Sequence, residues 1–472
     1  MRENIISFMN IIFMIICFYI KFKIELMNTL KISLVRARYP SVWEPTNLMY
    51  VSSFIKDRYQ GNLEVEILDG FFDSDEKILE RVSNSDYVGF SGTTPQVTHI
   101  KKLSALVKKE FPSIKTIAGG YGPSLQPFKF LNDSSIDYLV VGEGEQSMLD
   151  IINGNASQKL VSNIPITNVD SIPTPDRDSI DLERYITIAE KDEGRRVTSI
   201  MTERGCAFGC TFCAEGEFGT IWRKADLKNN ELKYERANRL RGRSAKLIVE
   251  EMIEVRDRFN ITFFKMNDAE TNPSKAHFLN ICKEMVKQEL DTPWGCNMRC
   301  DKVTEEMCEW AVKARCEEFW MGLESGSPEI HREINKGTTV DMIRNSFSVS
   351  KKFGIKRRTY AILGTPLESY QTIKQTEELI EEVDPEIIGF SILAPYPGTA
   401  YWKKEYDEMD WSEIDEFSNT HWRSDHLTNL ELRTEQARLI EKFSDKLAPI
   451  IRKKQKLGIG GSRTLDSLMG AM

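Results

Sequence analysis

The chain has no basic surplus, no zinc-type double pair of cysteines, only five histidines and no apolar run of full membrane-spanning length. Its 63 lysines and arginines are outnumbered by 71 aspartates and glutamates, for a formal charge of −8. Phosphate backbones attract basic surfaces, so this balance argues against nucleic acid as a main partner; a tRNA-modifying role would also want a basic C-terminal module. The longest apolar run, Ile5 to Ile20, is about 16 residues, short for a span. It contains Asn10 and lacks a small-residue cleavage site, so it fits neither a transmembrane helix nor a signal peptide. Met27 starts a segment that runs straight into a strand, so residues 1–26 read as an extension upstream of the natural start, with a membrane anchor as the alternative. The nine cysteines have their sharpest grouping in metal-type spacing. An oxidising compartment would favour disulfides instead, which points to the reducing cytoplasm.

What is present is an ordinary globular composition, 41% hydrophobic and 28% charged over 472 residues. That length suits roughly two to four domains. The sharpest feature is Arg204-Gly205-Cys206-Ala207-Phe208-Gly209-Cys210-Thr211-Phe212-Cys213, in which three thiols are separated by three residues and then by two. Thiolates are the soft ligands that iron–sulfur clusters select, and Gly205 and Gly209 let a short loop curl until the sulfurs converge. Three protein ligands leave one iron open. A structural zinc site would show four ligands in two spaced pairs, and no second pair stands nearby.

From 31 to about 152, β-branched runs alternate with amphipathic stretches, the pattern of a parallel sheet covered by helices on both faces. Strands are expected at Lys31–Arg36, Glu64–Asp69, Tyr87–Ser91, Lys115–Ala118 and Asp137–Val141. Three of them run into small-residue turns: Ser91-Gly92-Thr93-Thr94, Gly119-Gly120-Tyr121-Gly122 and Gly142-Glu143-Gly144-Glu145. That edge of an open α/β sheet is where ligands bind, and glycines there admit a large planar ligand or simply close tight turns. Residues 153–196 form a connector that includes the Pro/Asp-rich Ile172–Asp178. From 197 a second α/β repeat begins, with strands expected at Val197–Glu203, Thr262–Met266, Trp294–Met298, Glu318–Gly322, Thr359–Leu363 and Ile387–Leu393. Six β/α units suggest a partial (β/α)6 barrel of TIM type, with the cysteine loop after its first strand, at the face where barrel active sites are built.

The cysteine spacing, with Phe212 just before the last thiol, resembles the radical S-adenosylmethionine (SAM) enzymes. Taken with the glycine turns upstream, the chain resembles their cobalamin-dependent class, similar to the class B methyltransferases. The resemblance covers about residues 30–400. It implies an N-terminal doubly wound, Rossmann- or flavodoxin-like cobalamin-binding domain over 27–152, the linker, a radical SAM barrel over 197–400 and a small helical region over 401–472. It implies three cofactors: a 4Fe–4S cluster on Cys206, Cys210 and Cys213, SAM chelating the open iron, and cobalamin resting on Ser91, Gly92, Thr93, Thr94, Gly119, Gly120, Gly142, Glu143 and Gly144. Mutase-type cobalamin domains carry an Asp-x-His-x-x-Gly loop after the first strand. Here that region reads Arg38-Tyr39-Pro40-Ser41-Val42-Trp43, and His99 is the domain's sole histidine, so the lower face of cobalt is expected to be open or met by a group other than histidine.

The barrel's other strand ends carry polar residues at positions where relatives of this class show similar ones: Asp268, Arg299, Glu324, Ser325 and Gly364. Bound SAM would offer its carboxylate to Arg299 or Ser325 and its amino group or ribose to Glu324. Gly364 and Pro366 would shape the turn beside the nucleoside. Ion pairs across the barrel mouth are the alternative use of the charged members.

Between 216 and 246 lies a basic insert, read as a solvated helical face or as a docking patch for an anionic substrate or an electron donor such as flavodoxin or ferredoxin. Cys282, Cys296, Cys300, Cys308 and Cys316 lack compact spacing and read as buried small hydrophobes. Trp402, Trp411 and Trp422 read as packing of the C-terminal region, with 453–472 a frayed tail. The expected activity is methyl transfer to an unactivated carbon of a small metabolite, by way of a 5′-deoxyadenosyl radical and methylcobalamin. Such a carbon has no acidic proton, so a hydrogen atom must first be removed. The alternatives are cyclisation, oxidation or rearrangement with the same cofactors, or a corrinoid- or SAM-responsive binding protein.

Overall fold

The computed structural model describes residues 29–39, 42–215, 240–416 and 419–448, together with the backbone of 221–226 and 231–236. The apolar segment 1–26 and the tail 453–472 lie outside the described residues.

The first sheet holds β1 (Leu30–Arg36), β2 (Leu63–Asp69), β3 (Tyr87–Ser91), β4 (Lys115–Gly119), β5 (Tyr138–Val141) and β6 (Leu160–Ser162). All are parallel, in the order β2-β1-β3-β4-β5-β6. Strand order reverses between β1 and β3, which opens a crevice at their C-terminal ends. The two-residue period divides the side chains between two cores. Ile32 and Leu34 pack with Met49, Phe54 and Met148 from the helices Thr46–Arg58 and Glu145–Ile152. Val35 and Phe90 face Ile78, Ile100 and Leu103 from Asp75–Val82 and Val97–Glu110. β6 adds a sixth strand where the sequence suggested five. It is three residues long, all half-buried, and lies in the segment read as linker.

The second half contains β7 (Val197–Ile200), β8 (Glu203–Arg204), β9 (Ile221–Asp226), β10 (Glu231–Arg236), β11 (Arg241–Gly242), β12 (Phe263–Met266), β13 (Trp294–Met298), β14 (Cys316–Glu324), β15 (Lys356–Leu363) and β16 (Ile387–Ile392). Six of these form a parallel sheet in strictly sequential order, β16-β15-β14-β13-β12-β7, the partial barrel that the sequence suggested. The first barrel strand is shorter than the expected Val197–Glu203. Thr202 and Glu203 turn their amides to the Asp268 carboxylate at 2.7 and 3.1 Å, so the chain leaves the sheet and pairs as β8 with β11.

The basic insert departs from a helical face: β9 and β10 pair antiparallel as a ribbon. Arg241 and Arg243, at its end, are buried rather than solvated. Among its described residues, the region from Tyr401 is less helical than expected, with short 3-10 turns and one long helix, Asn429–Lys442. Trp411 and Trp422 are buried there. Cys282, Cys296, Cys300, Cys308 and Cys316 are buried as well, and burial pushes the Cys300 and Cys308 thiols up to about 11 and about 12. Among the described residues, no helix is long and apolar enough to cross a membrane.

Candidate active site at the domain boundary

The three-thiol loop starts from β8 and is held on both sides. Thr211 donates its amide to Ile334 O at 3.0 Å and shares a 2.9 Å hydroxyl contact with Tyr401, while Ala400 donates back to Thr211 O at 3.0 Å. Asn335 donates to Gly209 O at 3.2 Å, and Cys213 donates to Cys210 O at 3.2 Å. Gly205 sits at φ +87°, a conformation that glycine adopts without strain. Burial pushes the Cys206 thiol up to about 11 and the Cys213 thiol up to about 12. The Cys210 thiol adds to the rise at Cys206, and both of the other thiols add to it at Cys213. Among the described residues, no three Cys, His, Asp or Glu side chains are close enough to hold a single metal ion. A cubane cluster puts each thiolate on a different iron, so it takes sulfurs set wider apart.

Around the loop stand two buried cations. Arg299 follows β13 and is 1% exposed. Its Nε donates to Asp301 at 2.8 Å, its Nη2 to Lys336 O at 2.5 Å, and its guanidinium lies 3.5 Å over the ring of Phe208 inside the cysteine loop. Its Nη1 makes no hydrogen bond and lies 3.8 Å from the Glu270 carboxylate. Lys336 donates to Gly322 O at 2.9 Å and to the Glu324 carboxylate at 2.5 Å. Burial works against its charge, but Glu324 keeps the lysine above its ordinary pKa. Burial also raises the Cys210 thiol, and these two cations pull it back. Glu324 is thus already paired, and it takes φ +60° at the end of β14.

The other rim residues divide by what they touch. Asp268 is turned to the loop's own backbone: besides the two amides, it accepts the Thr202 hydroxyl at 2.6 Å. Burial pushes its carboxyl up to about 6. Ser325 shares a 3.1 Å contact with the Thr376 hydroxyl and accepts from Ser327 N at 3.1 Å. Gly364, at φ +92°, accepts the indole N–H of Trp422, so the C-terminal region closes over the barrel at that turn.

The glycine turns of the first sheet meet this site. Tyr121, next to Gly119-Gly120, donates its hydroxyl to Glu215, two residues past Cys213. Glu145 pairs with Arg204 at 2.6 Å, and Glu143 with Arg241 at 2.5 Å and Arg204 at 3.6 Å. Burial opposes ionisation of Glu143, but Arg241 and Arg204 draw it below its ordinary value. Glu143, expected among the cofactor contacts, is therefore committed to ion pairs with the barrel.

A family model described as B12 binding domain matches residues 32–152, and one described as Radical SAM superfamily matches 200–380. The chain belongs to the B12-binding radical SAM proteins. It is 25% identical over 384 residues to an uncharacterized methyltransferase of Pyrococcus horikoshii, covering 76% of this chain and 78% of that one. It is 24% identical over 405 residues to the anaerobic magnesium-protoporphyrin IX monomethyl ester cyclase of Rubrivivax gelatinosus, covering 80% and 69%. Its fold superimposes at TM-score 0.62 on the radical SAM methyltransferase TsrM of Kitasatospora setae, solved with cobalamin and a 4Fe–4S cluster, at 18% identity over 79% and 77% of the two chains.

The residues of this B12-binding radical SAM protein fit those cofactors. Three thiols on one loop, an Arg299 Nη1 with no hydrogen bond and only a 3.8 Å ion pair to Glu270, and open space beside Gly209 suit a cluster and a chelating carboxylate. On the sheet edge, a Cβ at Gly142 would meet nothing within 4 Å, and one at Gly119 would meet only Val140, at 3.5 Å and beyond. Gly120 (φ +90°) is required by packing, because a Cβ there would lie 2.7 Å from Ser91 Oγ. Gly92 and Gly144 are also closed in, with Gln96 at 2.6 Å and Val51 at 3.1 Å from their Cβ positions. Ser91 Oγ accepts from Asn47 at 2.9 Å, Thr93 donates its amide to Gln96 at 2.8 Å, and Thr94 is buried. His99 accepts from Arg38 N at 2.7 Å through Nδ1 and meets Asp75 at 3.0 Å through Nε2. Both ring nitrogens are occupied, which leaves the domain's sole histidine unavailable to cobalt.

Sequence reasoning missed Lys336 and Phe208. The signal for Lys336 was weak, since one lysine in an Asn335-Lys336-Gly337 turn looks like any solvated turn residue.

Proposed function

We infer that this radical SAM enzyme is a methyltransferase acting on an unactivated carbon of a small molecule. The carrying observation is the apposition of the first sheet's glycine turns to both ends of the cysteine loop, through Tyr121–Glu215 and Glu145–Arg204. When bound, the cluster and SAM supply a hydrogen-abstracting radical and the corrinoid supplies a methyl group, so the two cofactor sites must share one substrate cavity. The chain's own residues provide the holding and the exclusion of water. Cys206, Cys210 and Cys213 would hold the cluster, Arg299 Nη1 would offer a donor to a carboxylate, and Trp422 closes the turn at Gly364. Several relatives named as methyltransferases support this reading. The cyclase relative favours one alternative, the same cofactors used without net methyl transfer.

An electron donor of flavodoxin or ferredoxin type would reduce the cluster. The test is anaerobic turnover with SAM, hydroxocobalamin, a reductant and candidate substrates. Methylation yields S-adenosylhomocysteine and 5′-deoxyadenosine in equal amounts, and turnover without S-adenosylhomocysteine selects the cyclase-like alternative.

A further inference from the structure

Besides its contacts with the barrel and Tyr401, the cysteine loop has a side chain near each end that is bound by the first sheet's turns. Arg204 stands two residues before Cys206, and Glu215 two residues after Cys213. Arg204 is gripped by Glu145 at 2.6 Å and flanked by Glu143 at 3.6 Å, from the turn after β5. Glu215 accepts the hydroxyl of Tyr121, from the turn after β4. Glu143 reaches past the loop to Arg241 on β11, the strand that pairs with β8. These contacts are buried, so solvent screens them little.

The turns that carry these side chains also carry the glycines of the open edge, Gly119 and Gly142. A ligand lying on those glycines would rest on the same two turns that carry Tyr121, Glu143 and Glu145. We propose that Tyr121, Glu143 and Glu145 are positioning residues that couple the two cofactor sites, so that cobalamin binding and cluster assembly strengthen each other. This rests on the corrinoid reading of the first domain. Coupling of this kind is reciprocal: whatever factor the cluster adds to cobalamin affinity, cobalamin adds to cluster retention. An ion pair that merely held the domains together would not make one affinity depend on the other site's occupancy.

The experiment is a spectral titration of the full chain with hydroxocobalamin, once with the cluster rebuilt and once after iron is removed by chelation. The expected result is cobalamin affinity about tenfold higher with the cluster present. In Tyr121→Phe/Glu145→Gln the ratio falls to within about twofold, while Glu145→Asp, which keeps the charge, retains most of it. Equal wild-type affinities with and without the cluster overturn the coupling and leave the corrinoid reading standing, and a ratio unchanged in the double variant overturns the assignment to these residues. Absence of cobalamin binding in either form removes the corrinoid reading and the coupling with it. The wild-type comparison decides the question even where a variant folds poorly.

Discussion

The Glu145 carboxylate and the Arg204 guanidinium meet at 2.6 Å across the boundary between the two sheets, both largely buried. Removing one member of a buried pair leaves the other charge without its partner. Glu145→Ala is expected to cost about 3–5 kcal/mol of stability, and Glu145→Gln, which can still accept from Arg204, clearly less. Urea denaturation of the two variants checks the order.

Asp268 accepts three hydrogen bonds from Thr202 and Glu203, and these hold the chain where it leaves the barrel for the cysteine loop. Asp268→Ala strands two buried amides, for an expected loss of about 2–3 kcal/mol. Iron incorporated on reconstitution should fall with it, because the loop loses its starting anchor. Asp268→Asn, which keeps one acceptor oxygen, should sit between Ala and wild type in both readouts.

Glu203 is 3% exposed and neither carboxylate oxygen has a hydrogen-bond partner. Burial first, then the nearby Asp268 and Glu270, push its pKa up to about 9. The folded chain therefore keeps a proton that the unfolded chain gives up above its ordinary value. The contribution is whole below that ordinary value and is lost as pH rises towards about 9. Glu203→Gln removes this loss. In the iron-free chain, its melting temperature should gain on wild type steadily between about pH 5 and pH 9, with an advantage of several kcal/mol at the upper end. A pH-independent difference would contradict the assignment.

The fold was legible because its strands are short runs of mostly buried residues, at regular spacing between helical stretches. Tyr87–Ser91 and Trp294–Met298 coincide with their expected bounds. β6 escaped notice because three half-buried residues carry no periodic signal. The thiols of the site were plain from spacing alone, but the partners of its charged residues were not. The partner of Glu143, Arg241, lies 98 residues away in sequence, so their pairing left no local signal. Asp268 and Glu324 were expected to face a cofactor; the backbone amides and the lysine they also meet carry no sequence signal. A strand-end position shows that a side chain reaches the rim, while the direction it takes there depends on neighbours brought in by tertiary packing.

Gly364 takes φ +92°, and a Cβ there would lie 2.9 Å from Leu432 and 3.4 Å from Trp422. Gly364→Ala combines backbone strain with displacement of the C-terminal cover, at an expected cost of about 1–3 kcal/mol. Because Trp422 is buried and donates to Gly364 O, its fluorescence should shift to the red as it meets water.

The central claim is that one chain holds a cluster and a corrinoid and uses both with SAM. Anaerobic reconstitution with iron, sulfide and hydroxocobalamin, followed by metal counts and nucleoside analysis, tests it most directly. The account predicts about four iron and about one cobalt per chain, with 5′-deoxyadenosine formed from SAM and abolished by Cys210→Ala. Iron without cobalt, or nucleoside release that survives loss of Cys210, would contradict it.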